Sequence, residues 1–114
     1  MNIEQIREYC LSKKMVTESF PFDEETLVFK VLDKMFALIN LQGELSINLK
    51  CNPEKAIELR AEYESVKPGY HMSKIHWNTI EIDGPIDIKK IYEWIDDSYN
   101  LVVSKMTKKQ KESL

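Results

Sequence analysis

The sequence contains only three glycines, Gly43, Gly69 and Gly84, and they lie far apart in the chain. The loops that cradle phosphates in P-loop and dinucleotide-binding proteins need closely spaced glycines. The sequence contains neither a P-loop motif nor a dinucleotide-binding motif, so both classes of nucleotide-binding protein are excluded. With only four prolines in addition, most of the chain can form regular helices and strands.

Long apolar runs are also lacking. The longest, residues 35–39, has five residues, far below the roughly 20 that a membrane-spanning helix needs. The N-terminal residues have neither the basic start nor the apolar core of a signal peptide. We therefore expect a cytoplasmic protein that does not associate with membranes.

The two cysteines, Cys10 and Cys51, stand alone, without the C-x-x-C spacing of redox or zinc motifs. This pattern favours two free thiols in a reducing compartment, the alternative being one structural disulfide.

An excess of positive charge is absent as well. The 16 lysines and arginines are outnumbered by 19 acidic residues, so the formal net charge is −3. Proteins that bind nucleic acid through its phosphates usually carry a basic excess, at least locally. The total therefore argues against nucleic-acid binding unless a local basic patch exists.

The 114 residues suit one domain, and 43% of them are hydrophobic, a normal globular balance. Periodicity predicts an α+β fold in the order α-β-β-β-β-α-β-α. We expect strands near 16–20, 27–32, 35–41, 45–50 and 77–82, as an antiparallel meander plus one further strand. We expect a first helix near residues 3–13. A second helix should begin at Asn52-Pro53, carry Val66 on its apolar stripe and end by residues 67–69. A third should run from Asp87 to about residue 106. The helices would cover one sheet face. Residues 1–107 form the predicted domain and 108–114 a frayed polar tail.

Catalytic constellations are hard to find. His71 and His76 are five residues apart, which is not the helical spacing that directs two imidazoles at one metal. Ser73 lies near both histidines in the sequence, but no G-x-S-x-G elbow surrounds it. We predict neither a metal nor another cofactor, and no enzymatic activity.

The segment of residues 67–77 differs from the rest of the chain. It contains two aromatic residues, two histidines, two lysines and a serine. Aromatic rings can stack on a ligand, and lysine or histidine can meet phosphate. The alternative is a structural connector in which Tyr70 and Trp77 fill the edge of the core.

Residues 19–30, 33–37 and 67–79 resemble the motifs of the MmcQ/YjbR family, and the resemblance covers nearly the whole chain. It implies a small α+β domain related to a double-wing DNA-binding arrangement, with no catalytic residues. The motif positions present here are Phe20, Pro21, Lys34, Phe36, Pro68, Gly69, Tyr70, His71, Met72, Lys74, His76, Trp77 and Asn78.

Two positions depart from the family pattern. Ile75 stands where members often have a basic residue, which removes one phosphate contact. Asp33 stands where glycine is common, so it needs a turn that tolerates it. The candidate ligand or nucleic-acid contacts are Lys34, Lys67, Tyr70, His71, Ser73, Lys74, His76, Trp77 and Asn78.

Three functions remain open. The first is a non-enzymatic binding module for nucleic acid, supported by residues 67–77 and by the basic tail at Lys105, Lys108, Lys109 and Lys111. The second is a protein-interaction domain, monomeric or homodimeric, using outward residues Val28, Lys30 and Leu32 of the uncovered sheet face. The third is a small-molecule binder using the segment from Tyr70 to His76.

Overall fold

The computed structural model describes residues 3–69 and 72–114, which contain six strands and four helices. The strands are β1 (Val16–Ser19), β2 (Thr26–Val31), β3 (Lys34–Asn40), β4 (Ser46–Lys50), β5 (Val66–Pro68) and β6 (Trp77–Glu81). The helices are α1 (Ile3–Leu11), α2 (Pro53–Glu62), α3 (Ile88–Ser104) and α4 (Lys108–Lys111). The strands pair antiparallel in the order β1-β2-β3-β4-β6-β5.

The predicted α+β class and the antiparallel meander with helices packed on it are confirmed. The main core lies between the helices and one sheet face, where Phe29, Phe36, Ile39, Ile47 and Ile80 are fully or almost fully buried. Alternation along the strands explains this face, because every second side chain points the same way. A bulge between β2 and β3 adds Phe36 to the core side, since Phe29 pairs with Ala37 while Lys30 pairs with Met35.

Three expectations about the elements were wrong. Val66 belongs to β5, a short strand that was not predicted, and not to the stripe of the second helix. The first helix ends at Leu11, before Lys13. The polar tail contains α4, which Thr107 and Gln110 cap reciprocally. β5 forms because it pairs with β6, a contact that local periodicity does not reveal. α4 forms because the capping box of Thr107 and Gln110 stabilises its first turn.

The turn between β2 and β3 places Leu32 and Asp33 at φ values of 46° and 66°. Two central residues with positive φ are typical of the type I′ hairpin turn. Asp tolerates a positive φ better than most residues, so Asp33 can occupy a position where glycine is common in the family. Leu32 packs against the main core, so the expectation that it faces outward was wrong.

The other sheet face is not simply exposed. Val28, Leu38 and Trp77 form a second buried cluster there, with Met35 and Met72 packed against it. Val28 is completely buried, contrary to the expectation that it points to solvent. Residues 72–77 therefore cover part of the face that the helices leave uncovered.

Both cysteines are free, as predicted, with Cys10 buried and Cys51 half-buried. Burial raises the pKa of Cys10 to about 12 and also raises the pKa of Cys51. Within the described ranges, no helix is long and apolar enough to cross a bilayer.

Candidate functional site

Trp77, at the start of β6, lies on the sheet face opposite the helices and is 8% exposed. Its ring contributes to the second cluster with Val28 and Leu38. The backbone of Gly69 comes so close that a β-carbon there would lie 2.8 Å from Cβ of Trp77. Gly69 is thus required by a close approach, and its N–H donates to the carbonyl of Trp77 at 2.8 Å.

Asn78 faces the opposite way, toward the helices, and is 1% exposed. Its Oδ1 accepts a hydrogen bond from Nε of Arg60 at 2.7 Å, and its Nδ2 donates to the carbonyl of Ala56 at 3.2 Å. Asn78 therefore fastens α2 to β6. Adjacent strand residues point to opposite faces, so Trp77 and Asn78 cannot line one site.

The loop before β6 is held by cationic side chains. The guanidinium of Arg60 also donates to the carbonyl of Lys74, and Nζ of Lys74 donates to the carbonyl of Gly69 at 3.2 Å. His76 is exposed, and its carbonyl accepts from the backbone N–H of Cys51 at 2.7 Å, which extends the pairing of β4 and β6. Tyr70 and His71 lie outside the described residues.

Lys67 and Ser73 border a groove of about 830 Å³ on the sheet face opposite the helices. Polar side chains of the central strands, including Asn40 and Asn48, line its floor. Nζ of Lys67 is 2.6 Å from Oε1 of Glu81, and this hydrogen bond raises the pKa of Lys67. Among the described residues that line the groove, four are acidic (Asp23, Glu25, Glu44 and Glu81) and one, Lys67, is basic.

A second group of side chains lies at one end of the sheet. Ala37 pairs with Leu49, and Leu49 pairs with Asn78, so the start of β3, the end of β4 and the start of β6 are adjacent. This register brings Lys34, Lys50, Lys74 and His76 to the same end, which we call the lysine-rich end. Among residues 3–69 and 72–114, its three lysines form no salt bridge.

Helix α3 runs toward the lysine-rich end. Oγ of Ser98 donates to the carbonyl of Phe36 at 2.6 Å and accepts from the backbone N–H of Lys50 at 2.9 Å. Beyond Ser98 the helix continues to Ser104 with a rise of about 1.5 Å per residue, so Lys105 at its C-terminal cap lies further in the same direction. Sequence reasoning missed Lys50, Arg60 and Ser98, because their places follow from strand register and helix docking.

No group of three or more His, Cys, Asp or Glu side chains in the described part of the chain is arranged to hold a metal ion. The arrangement instead offers two distinct surfaces. One is the acidic groove, bordered by Lys67 and Ser73. The other is the lysine-rich end, which includes Lys34, Lys74 and His76 from the sequence prediction.

The chain is similar to several known proteins. The family model described as YjbR matches residues 11–101. The "Uncharacterized protein YjbR" of Escherichia coli K12 is 30% identical over 115 aligned residues, which span 100% of this chain and 98% of that protein. The "Uncharacterized protein YbdF" of Escherichia coli O157:H7 is 36% identical over 110 residues, covering 96% and 90% of the two chains.

A solved structure supports the same relation. The crystal structure of Deinococcus radiodurans protein DR2400, with the family-model domain DUF419, superposes with a TM-score of 0.90 and 39% identity. The superposition covers 97% of this chain and 86% of that one. A Pseudomonas syringae protein solved by crystallography has a TM-score of 0.78 at 30% identity, covering 89% of this chain and 98% of that one.

Proposed function

Because the chain belongs to the YjbR family, whose matched relatives are described as uncharacterised, we propose its function from geometry. The protein is a non-enzymatic binding module that contacts the phosphates of nucleic acid through its lysine-rich end. This retains the nucleic-acid partner that the sequence resemblance implied and moves the contact surface away from Trp77 and Asn78.

The observation that carries the proposal is the register that gathers Lys34, Lys50 and Lys74 at one end of the sheet. Lys34, Lys74 and His76 are exposed there, and Lys50 is half-buried. Within the described residues these lysines have no carboxylate partner, so they can replace the counterions of a phosphate backbone, Lys74 by exchanging its hydrogen bond to the Gly69 carbonyl for one to phosphate.

The acidic groove does not suit this role. In the part of the groove that the structure describes, four carboxylates accompany one lysine, Lys67, which is already hydrogen-bonded to Glu81. A phosphate backbone would be repelled from such a surface. The opposed charges of the two surfaces thus predict the orientation of a bound nucleic acid, with the groove directed away from it.

The test is fluorescence anisotropy of labelled duplex and single-stranded DNA at increasing salt concentration. We expect binding at about 50 mM salt that weakens linearly in a plot of log K against log salt. The single variants K34Q, K50Q and K74Q should each weaken binding to all sequences about equally and reduce the slope for duplex by about 0.9.

The matched control is K89Q, because Lys89 is exposed in the first turn of α3, which follows the far end of β6. Its slope should equal that of the unmodified protein. The proposal fails if no binding occurs at about 50 mM salt, where electrostatic affinity is high. It also fails if K89Q reduces the slope as much as K34Q does.

A second candidate function is favoured by the groove itself. Its volume of about 830 Å³ falls in the range of ligand sites, and Met72 of the family motif and the candidate contact Ser73 border it. Its excess of carboxylates suits a cationic ligand. Amide shifts of Asn48 and Thr79 in NMR titrations with spermidine and a tri-lysine peptide would detect this function, and unchanged shifts with both would remove it.

A further inference from the structure

A separate cavity of about 320 Å³ lies on the helix-covered face of the sheet, between α2 and α3. Its floor is Leu49 of β4 and Ile80 of β6, and its walls include Leu59 of α2 and Trp94 and Leu101 of α3. The cavity exists because α2 packs on β5 and β6 while α3 packs on β3 and β4. Its size is at the lower end of the range for small-molecule sites, about 300–1,000 Å³.

The surroundings of the cavity change from apolar to polar along α2. Tyr63, at the C-terminal end of α2, contacts Trp94 edge-to-face with ring centroids 5.3 Å apart. Toward the N-terminal end of α2 the lining becomes polar, with Asn52 and Lys55. An apolar interior with a polar mouth is the usual form of a small-molecule site.

Two opposite charges line this cavity without neutralising each other. Lys55 and Asp97 belong to facing helices and interact electrostatically. Within the described ranges they form no ion pair with each other. Burial is the largest cause that raises the pKa of Asp97, while Lys55 opposes the rise. Both side chains are exposed at the edge of the cavity, so a ligand that enters it can form charge-assisted hydrogen bonds with each of them.

The charges restrict the ligand. An anion without a cationic group would meet the Asp97 carboxylate, and a cation without an anionic group would meet the Lys55 ammonium. A molecule that carries both charges close together, next to an apolar body, avoids both repulsions. The apolar part of such a ligand would fill the cavity between Leu59 and Trp94.

We propose that the α2–α3 cavity binds a small zwitterion with an apolar side chain, the chemistry of an apolar α-amino acid. The ligand's ammonium group lies against Asp97, its carboxylate against Lys55, and its side chain against Trp94. This site is distinct from the acidic groove on the opposite sheet face, and its occupation does not depend on nucleic-acid binding.

The experiment is an NMR titration of the unmodified, isotope-labelled protein with L-phenylalanine and L-leucine. Two matched probes, phenethylamine and 3-phenylpropionate, each carry one of the two charges on the same ring. We expect saturable shifts of the Leu49 and Ile80 amides and of the Trp94 indole N–H. At least one amino acid should bind about 10-fold or more tightly than either single-charge probe, a difference of about 1.4 kcal/mol.

Variants then test the two charges separately. D97N and K55Q should each weaken binding of that amino acid by about 10-fold, whereas K89Q should leave it unchanged. Circular dichroism establishes that each variant is folded. The proposal is overturned if neither amino acid saturates the cavity shifts below about 10 mM. It is also overturned if the single-charge probes bind equally well, or if D97N binds as the unmodified protein does.

Discussion

At the scale of single residues, the family motif carries structural information as well as functional candidates. The sequence predicts Trp77 and Asn78 as ligand contacts, but the structure buries both side chains, on opposite faces of the sheet. Composition alone could not distinguish these two buried residues from the exposed Lys74. The separation depends on which face each residue of β6 presents, and the register with β4 decides that.

Replacing Asn78 with alanine should destabilise the fold. The change leaves Nε of Arg60 and the carbonyl of Ala56 without their present partner in a buried region. We expect the free energy of unfolding in urea to fall by about 1–3 kcal/mol. The control is N100A on the exposed face of α3, which should change it by less than about 0.5 kcal/mol. Equal effects of the two variants would contradict the structural role of Asn78.

At the scale of elements, local signals found the long helices and most strands, and non-local contacts set the rest. Asn52 and Pro53 mark the start of α2 by a capping side chain and a proline at the first position. Its end could not be read the same way, because Val66 continues the apolar spacing. Val66 instead pairs with Ile80 in β6, a contact 14 positions away that no local pattern reveals.

The attachment of α3 to the sheet gives the element-scale prediction. Ser98 is completely buried and bridges the carbonyl of Phe36 to the backbone N–H of Lys50. S98A should lower the free energy of unfolding by about 1–3 kcal/mol, because it leaves both backbone groups without this partner.

The control is S104A in the last turn of the same helix. Ser104 is exposed and its Oγ donates only locally, to the carbonyl of Leu101. Its effect on urea unfolding should remain below about 0.5 kcal/mol. An S98A variant as stable as S104A would mean that α3 is held by its apolar face alone.

At the scale of the whole molecule, the arrangement of charge matters more than its total. The net charge of −3 argued against nucleic acid when only composition was known. The fold distributes the charges unevenly, with acidic residues around the groove and Lys34, Lys50 and Lys74 at one sheet end. Charges separated by more than about 8–10 Å are largely screened at physiological salt, so each surface acts mainly through its own charges.

The same reasoning applies to the pH dependence of global stability, where Asp97 gives a prediction of definite sign. Burial and the neighbouring Glu93 raise the pKa of Asp97 above the ordinary value of 3.8. Between 3.8 and that raised pKa, the folded state binds more protons than the unfolded state. The free energy of unfolding therefore falls as pH rises through this interval, and the loss is complete above it.

D97N should remove this loss, so it should be more stable than the unmodified protein at pH 7 and lose that advantage near pH 3. The gain should be below about 1 kcal/mol, because Asp97 is exposed enough for solvent to screen it. K55Q should act in the opposite direction and enlarge the pH dependence, since Lys55 lowers the pKa of Asp97. Thermal unfolding of the unmodified protein, D97N and K55Q at pH 7 and near pH 3 measures these differences in stability. A D97N variant less stable at pH 7 would show that this carboxylate stabilises the fold. A more stable one would mean that the chain keeps Asp97 at a cost to stability, as ligand-binding positions commonly do.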